Sequence, residues 1–349
     1  MPEIKIDLDA STTFLTQLLN IASPTGFTEN AITFIEDALG AFPALCMHRT
    51  VKGALVVSWD GESASEPRAL TAHVDTLGAM VSEIKDRGRL KLTQLGGYMW
   101  NAVEGEGVTV HTADGRTYRG TILTTKASTH AYGKESGALE RKAENMELRL
   151  DLRAEKPAEV RAAGIEVGDF VSLDPRVEVT DTGFIRSRHL DDKAGVACVY
   201  GALKVLADAG LKPAQRTTIL ISNYEEVGHG AATGFPPDIV ELLAVDMGVL
   251  SERQNSDEYT VSICAKDSGG PYHIDMRRKL VKLAVEAGIS YKVDVYPFYG
   301  SDGEAFWRAG GGARVGLIGP GVDASHAYER THRDSLEQTI RLIVEYLLD

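Results

Sequence analysis

Residues 189–228 read HLDDKAGVACVYGALKVLADAGLKPAQRTTILISNYEEVG. Residues 193–210 predict a helix, and the apolar run at 217–224 predicts a buried strand. The alternation continues with a strand at 241–247, a helix at 274–288, a strand at 291–298 and a final helix at 335–349. Strands alternating with helices imply an α/β fold, a mostly parallel sheet sandwiched by helices. Upstream, apolar residues at helical spacing between Thr12 and Leu39, broken by SPTG at 23–26, predict two helices joined by a turn. GALVVSW (53–59) and RALTAHV (68–74) then read as strands, the second of the continuous apolar kind buried in parallel sheets.

Between about Met80 and Arg188 the texture changes. Short β-branched segments, GVTVHT (107–112), YRGTILTT (118–125) and DFVSL (169–173), alternate with Gly, Asp and Pro. A polar, Gly- and Ser-containing stretch from Ala127 predicts an exposed loop before the strand MELRLDL (146–152). The expected organisation is a discontinuous α/β domain, 1–79 and 189–349, split by an inserted β-rich, barrel-like domain at 80–188.

With 349 residues, 43% of them apolar, the chain can bury a large core. Its formal charge of -13 and the lack of a basic stripe argue against a nucleic-acid partner. Cys46, Cys198 and Cys264 are too few and too dispersed for a zinc ribbon or a disulfide framework, so a reducing, cytoplasmic setting is expected. The N-terminal MPEIKIDLDASTTFLTQLL lacks the regions of a signal peptide, and no apolar run reaches the roughly 18 to 20 residues that span a bilayer. No membrane partner is expected. The Gly-rich stretches at 95–107 and 308–316 do not have dinucleotide or phosphate-loop spacing.

Chemistry-bearing residues recur where apolar runs stop: His73, Asp191, Glu225 with Glu226, Asp246 and, in a polar loop, His326. Singly, each has an ordinary explanation. His73 could be a structural histidine, Asp191 and Asp192 helix caps, Asp246 a turn residue and His326 a surface histidine. The adjacent Glu225 and Glu226 are harder to explain structurally, because two carboxylates after a buried strand repel unless cations are near. Successive side chains point apart, so one could bind metal while the other acts as general base. Two imidazoles and three carboxylates suffice to give each of two metals a nitrogen and an oxygen, with the third carboxylate bridging. Such a pair of ions suits amide hydrolysis. Asp75, two residues after His73, could accept the second ring N–H and orient the imidazole. Asp267 and His273 in KDSGGPYH, and His229 beside the Glu pair, are further candidates for substrate contacts.

Together the motifs AHVDTLGAMV (72–81), GDFVSLDP (168–175), HLDDKAG (189–195), EEVGHGA (225–231), AVDMG (244–248), GSDGEAF (300–306) and the late histidine loop resemble the glutamyl-aminopeptidase family. That family includes the tetrahedral aminopeptidases and the so-called cellulase M proteins, a branch of the dinuclear metallopeptidases. The resemblance covers essentially the whole chain. It implies two zinc or cobalt ions held by His73, Asp191, Glu226, Asp246 and His326, with Asp191 bridging. It further implies Glu225 as the catalytic base, Asp75 orienting His73, and a β-rich insertion serving assembly into a homo-oligomer, a dimer or a dodecamer.

Three positions depart from the family pattern: Thr76 replaces a usual glutamate, EEVGHGA is one residue short, and His326 precedes Glu329 by three positions rather than four. His332 therefore competes with His326, although ERTHRDSLEQT reads as the approach to the final helix, with Asp334 or Ser335 as cap. The leading expectation is a metal-dependent aminopeptidase acting on small peptides. The departures motivate an alternative, an amidohydrolase or deacylase of an acylated or amidated small peptide. A non-catalytic binding scaffold is a third reading, opposed by the intact acid and ligand set.

Overall fold

The computed structural model describes residues 5–349; residues 1–4, the start of the N-terminal stretch and of the expected α/β domain, lie outside it. Across the main sheet the strands run Leu45–Arg49, Leu55–Trp59, Gln215–Ser222, Ser63–His73, Glu241–Val245, Arg314–Val322, Val261–Lys266 and Tyr291–Val295. The central four are mutually parallel. Antiparallel pairings occur on both flanks, between Leu55–Trp59 and Gln215–Ser222 and between Val261–Lys266 and Arg314–Val322. The sheet is thus mixed around a parallel centre.

The central strands are buried on both faces, which is why they read as continuous apolar runs. Along Glu241–Val245, Leu243 and Val245 enter the larger core while Leu242 and Ala244 enter a smaller one on the other face. The larger core is covered by helices Leu8–Leu19, Glu29–Leu39, Leu190–Asp208, Ile274–Glu286 and Arg333–Leu348. The smaller is covered by the short helix Asp302–Arg308, which contributes Phe306.

Six strands, Gly78–Lys85, Arg89–Leu95, Met146–Leu150, Thr117–Thr124, Gly107–His111 and Phe170–Leu173, close in that order into an antiparallel barrel. Its interior is a separate core that includes Val81, Leu90, Val110, Ile122, Leu148 and Val171. The strand Phe184–Ser187 leaves the barrel and pairs with Glu329–His332. Among the described residues no helix is long and apolar enough to cross a membrane.

Candidate metal centre

Parallel register brings the strand ends to one edge: Ser222 pairs with His73, Thr71 with Ala244, and Val245 with Ile318. The 3₁₀ turn Glu225–Val227 follows the Gln215–Ser222 strand. Asp191 comes from the non-helical first turn of Leu190–Asp208, and His326 from the loop after Arg314–Val322. His73, Asp191, Glu225, Glu226, Asp246 and His326 therefore meet, although they span some 250 positions.

Asp191 lies between the two imidazoles. Its Oδ1 is 3.2 Å from His73 Nε2 and its Oδ2 is 3.3 Å from His326 Nε2. Two ligands of one tetrahedral zinc, with bonds of about 2.0–2.1 Å, stand about 3.3 Å apart. Glu226 Oε2 is 3.7 Å from His326 Nε2, while Glu225 Oε2 is 3.8 Å from His73 Nε2. Donor atoms of Asp191, Glu226 and His326 lie within 4.8 Å of one another, as do those of His73, Asp192 and Asp246. Glu226 Oε1 and Asp246 Oδ1 are buried without a hydrogen-bond partner. Orphaned carboxylate oxygens beside imidazole nitrogens form the donor set that a divalent cation satisfies.

The electrostatics point the same way. Burial, with the Asp191 charge added, pushes Glu226 up to about 8 and Asp246 up to about 7. Burial also raises Glu225 well above the usual carboxylate range, although the His73 charge opposes it. For His326 burial disfavours the charged ring, yet the hydrogen bond to Asp191 and the Glu226 charge outweigh it and raise the pKa to about 10. Buried acids crowded in this way call for positive charge among them.

Asp75 is fully buried, and its groups divide between two tasks. Its main-chain carbonyl lies 2.9 Å from His73 Nδ1, closer than its carboxylate at 3.6 Å. The carboxylate accepts the main-chain N–H of Glu225 at 3.1 Å and of Glu226 at 3.3 Å, and the Thr25 hydroxyl at 2.7 Å. The ring-orienting acceptor is therefore the carbonyl rather than the carboxylate that the sequence suggested.

A cavity of 860 Å³ opens over Asp191, Glu225, Glu226, Asp246 and His326, and the exposed Met99 and Phe298 also line it. The three further substrate candidates do not line it. His273 caps helix Ile274–Glu286, its Nδ1 accepting Asp275 N–H at 3.3 Å. The His229 ring stacks on Tyr224 at 5.3 Å. The buried Asp267 accepts N–H groups of Gly269 and Gly270 and the Tyr272 hydroxyl, standing behind the cavity-lining Glu304. His332 is also separate from the cluster: it is itself the cap of Arg333–Leu348, where Asp334 or Ser335 had been expected. Its short side-chain reach to Asp334 N–H serves the cap that a serine or aspartate usually provides.

The sequence profile of the M42 glutamyl aminopeptidases matches residues 53–342. The chain belongs to this family. It is 49% identical over 331 residues to YhfE of Bacillus subtilis (strain 168), assigned by name to the aminopeptidases, covering 95% of both chains. Aminopeptidase APDkam598 from the archaeon Desulfurococcus kamchatkensis has the same fold, with a TM-score of 0.87 at 23% identity over 98% of this chain and 95% of that one. So does the Pyrococcus horikoshii TET1 peptidase, described as assembling into a tetrahedron or a large octahedral shell, with a TM-score of 0.84 at 23% identity, covering 97% and 99% of the two chains. M42 peptidases are metal-dependent, and this M42 chain is an aminopeptidase-class hydrolase with two candidate donor groups.

Three further buried acids support the cluster; Glu329 and Asp302 escaped sequence reasoning, and Asp192 was legible only as a helix cap. Glu329 accepts the main-chain N–H of Asp191 at 3.1 Å and of His326 at 3.0 Å, pinning both by the backbone. Asp192 accepts the N–H groups of His73 and Gly195, at 3.3 and 3.2 Å. Asp302 accepts the Thr71 hydroxyl at 2.9 Å, the Ser222 hydroxyl, and Ala231 N–H at 2.8 Å, joining two central strands to the turn beyond Glu225. Glu329 carried a signal in its spacing from His326, and Asp302 in the GSDGEAF motif, but neither signal specified a role.

Proposed function

We propose that this M42 chain is a dinuclear metal-dependent aminopeptidase that removes N-terminal residues from small peptides. One ion would be held by His73, Asp246 and Asp191, the other by His326, Glu226 and Asp191. The observation that carries this reading is Asp191 offering one oxygen to each imidazole at 3.2 and 3.3 Å. Asp192 also stands near His73, but its oxygens already accept main-chain N–H groups, so it supports the loop and is not taken as a ligand. When bound, zinc or cobalt supplies Lewis acidity toward a peptide carbonyl and a more acidic water.

The chain's own residues then carry the proton. Glu225 lines the cavity beside the His73 position and is the general base: its carboxylate takes the proton of the attacking water and returns it to the leaving amine. Asp75 holds the turn that aims Glu225 and, through its carbonyl, fixes the His73 ring. The six-stranded barrel forms the body of the inserted domain at about 80–188, and that domain serves homo-oligomer assembly, a reading supported by the shell assembly described for the TET1 peptidase.

Aminoacyl anilides with a free amine, and their N-acetylated counterparts, assayed after chelation and after zinc or cobalt addition, test this reading. The expected result is metal-restored cleavage of the free-amine series alone. Absence of cleavage of any free-amine substrate would sink it.

A further inference from the structure

The loop bearing His326 is held from the barrel side. Ala324 and His326 adopt φ of 58° and 64°. A side-chain-bearing residue stays in that left-handed region only when its surroundings hold it there. Two of the restraints tie it to the barrel. Gly97 O meets His326 Nδ1, so a barrel carbonyl sets the ring with Nε2 toward Asp191. The second restraint is Arg188, only 4% exposed. Its Nη2 donates to Ala102 O, its Nη1 donates to Ala327 O at 3.2 Å, and its charge faces the Glu106 carboxylate at 3.0 Å.

Gly97, Ala102 and Glu106 all lie between barrel strands Arg89–Leu95 and Gly107–His111, whereas Ala327 directly follows His326. The guanidinium therefore ties the barrel to the residue next to His326. Its planar fork can serve two separate carbonyls while Glu106 balances its charge; a lysine offers a single nitrogen for the same task. Among the described residues the His73 position has no such hydrogen-bonded link. His73 ends a sheet strand, Asp246 follows one and Asp191 opens a helix, and none of the hydrogen bonds described for them runs to the barrel strands or to the segment 96–106.

We propose that Arg188 is a positioning residue for His326, which makes the barrel part of the second cation position but not of the first. The inference rests on the two-ion reading above. Losing Arg188 frees Ala327 and lets the strained loop relax, so His326 leaves the line toward Asp191 and Glu226. A cation at that position would then be held by Asp191 and Glu226 alone.

The test is calorimetric titration of the metal-free full-length protein with zinc, for wild type, Arg188→Met, Arg188→Lys, His326→Ala and the double variant Arg188→Lys/His326→Ala. In both Arg188 variants one of two zinc equivalents should weaken by about 10–100-fold, the usual consequence of removing an outer support of a metal ligand, while the other keeps its wild-type affinity. The double variant should bind its remaining zinc as tightly as His326→Ala does. Equal weakening of both equivalents, no change in either, or failure of both Arg188 variants to fold overturns the proposal. Fewer than two equivalents in the wild type instead overturns the two-ion reading itself.

Discussion

Asp75 Oδ1 accepts the main-chain N–H of Glu225 at 3.1 Å across 150 residues of sequence. The same residue's carbonyl lies 2.9 Å from His73 Nδ1, so one buried aspartate couples a candidate ligand to the candidate base. The turn it holds is entered through Tyr224 at φ 68°, a conformation that benefits from such an anchor.

Asp75→Asn separates the two couplings. The amide keeps an acceptor for one N–H but turns a donor toward the other, while the main-chain carbonyl still faces His73. The expected outcome is a fall in kcat of about 10–100-fold with metal content unchanged by elemental analysis. A parallel loss of metal would mean that the carboxylate acts through the imidazole.

Glu225→Gln keeps the shape of the side chain and removes its basicity. Turnover should fall by about 10²–10⁴-fold, the range expected for a general base, while both ions remain bound. Loss of one ion with partial activity would reverse the roles of Glu225 and Glu226.

Removing metal should cost stability as well as activity. Glu226 and Asp246 are buried acids with orphaned oxygens, and the positive charge that favours their ionised forms comes from the neighbouring imidazoles, His326 and His73 for Glu226 and His73 for Asp246. Tight cation binding at saturating concentration stabilises by about 4 kcal/mol, which corresponds to a fall in Tm on the order of 5–10 °C when chelator is added. Scanning fluorimetry with EDTA, then with zinc restored, measures this. An unchanged Tm counts against metal at these residues.

Glu304 gives a pH signature outside the ligand cluster. Burial, then the neighbouring Asp267 carboxylate, raise its pKa to about 7, although the Arg308 guanidinium at 2.9 Å works in the other direction. A folded-state pKa above the unfolded one means that the folded protein binds more protons, so this group's contribution to stability is lost as pH rises from the ordinary carboxylate range through about 7. Glu304→Gln, which can donate to Asp267 at every pH, should raise Tm relative to wild type at pH 8, with the gap shrinking toward pH 5. A gap independent of pH would show that Glu304 does not titrate in this interval.

Much of the fold was readable because it is written locally. A run such as TTILISNY is too apolar for anything but a buried strand, and the segment from Lys193 to Gly210 has helical length and texture. The candidate acids were visible for the same reason, since a carboxylate directly after a buried strand stands out against its neighbours. Local context also misled. His229, His273 and His332 occupy the same kinds of loop as His326, yet they stack on a ring or cap a helix. No short-range pattern separates a histidine that caps from one that faces Asp191.

The sequence by itself determined the longer helices, several of the buried strands, the β-rich insertion and the residue types available for hydrolytic chemistry, because periodicity and apolar content act over a few neighbouring residues. Only the tertiary structure decided which of those residues meet. The pairing of Ser222 with His73 and of Thr71 with Ala244 aligns the strand ends, and Asp302, Glu329 and Arg188 then hold loops that lie about 80 to 230 positions apart. Those contacts depend on strand register and on the placement of the barrel against the sheet, quantities that no local stretch of sequence contains.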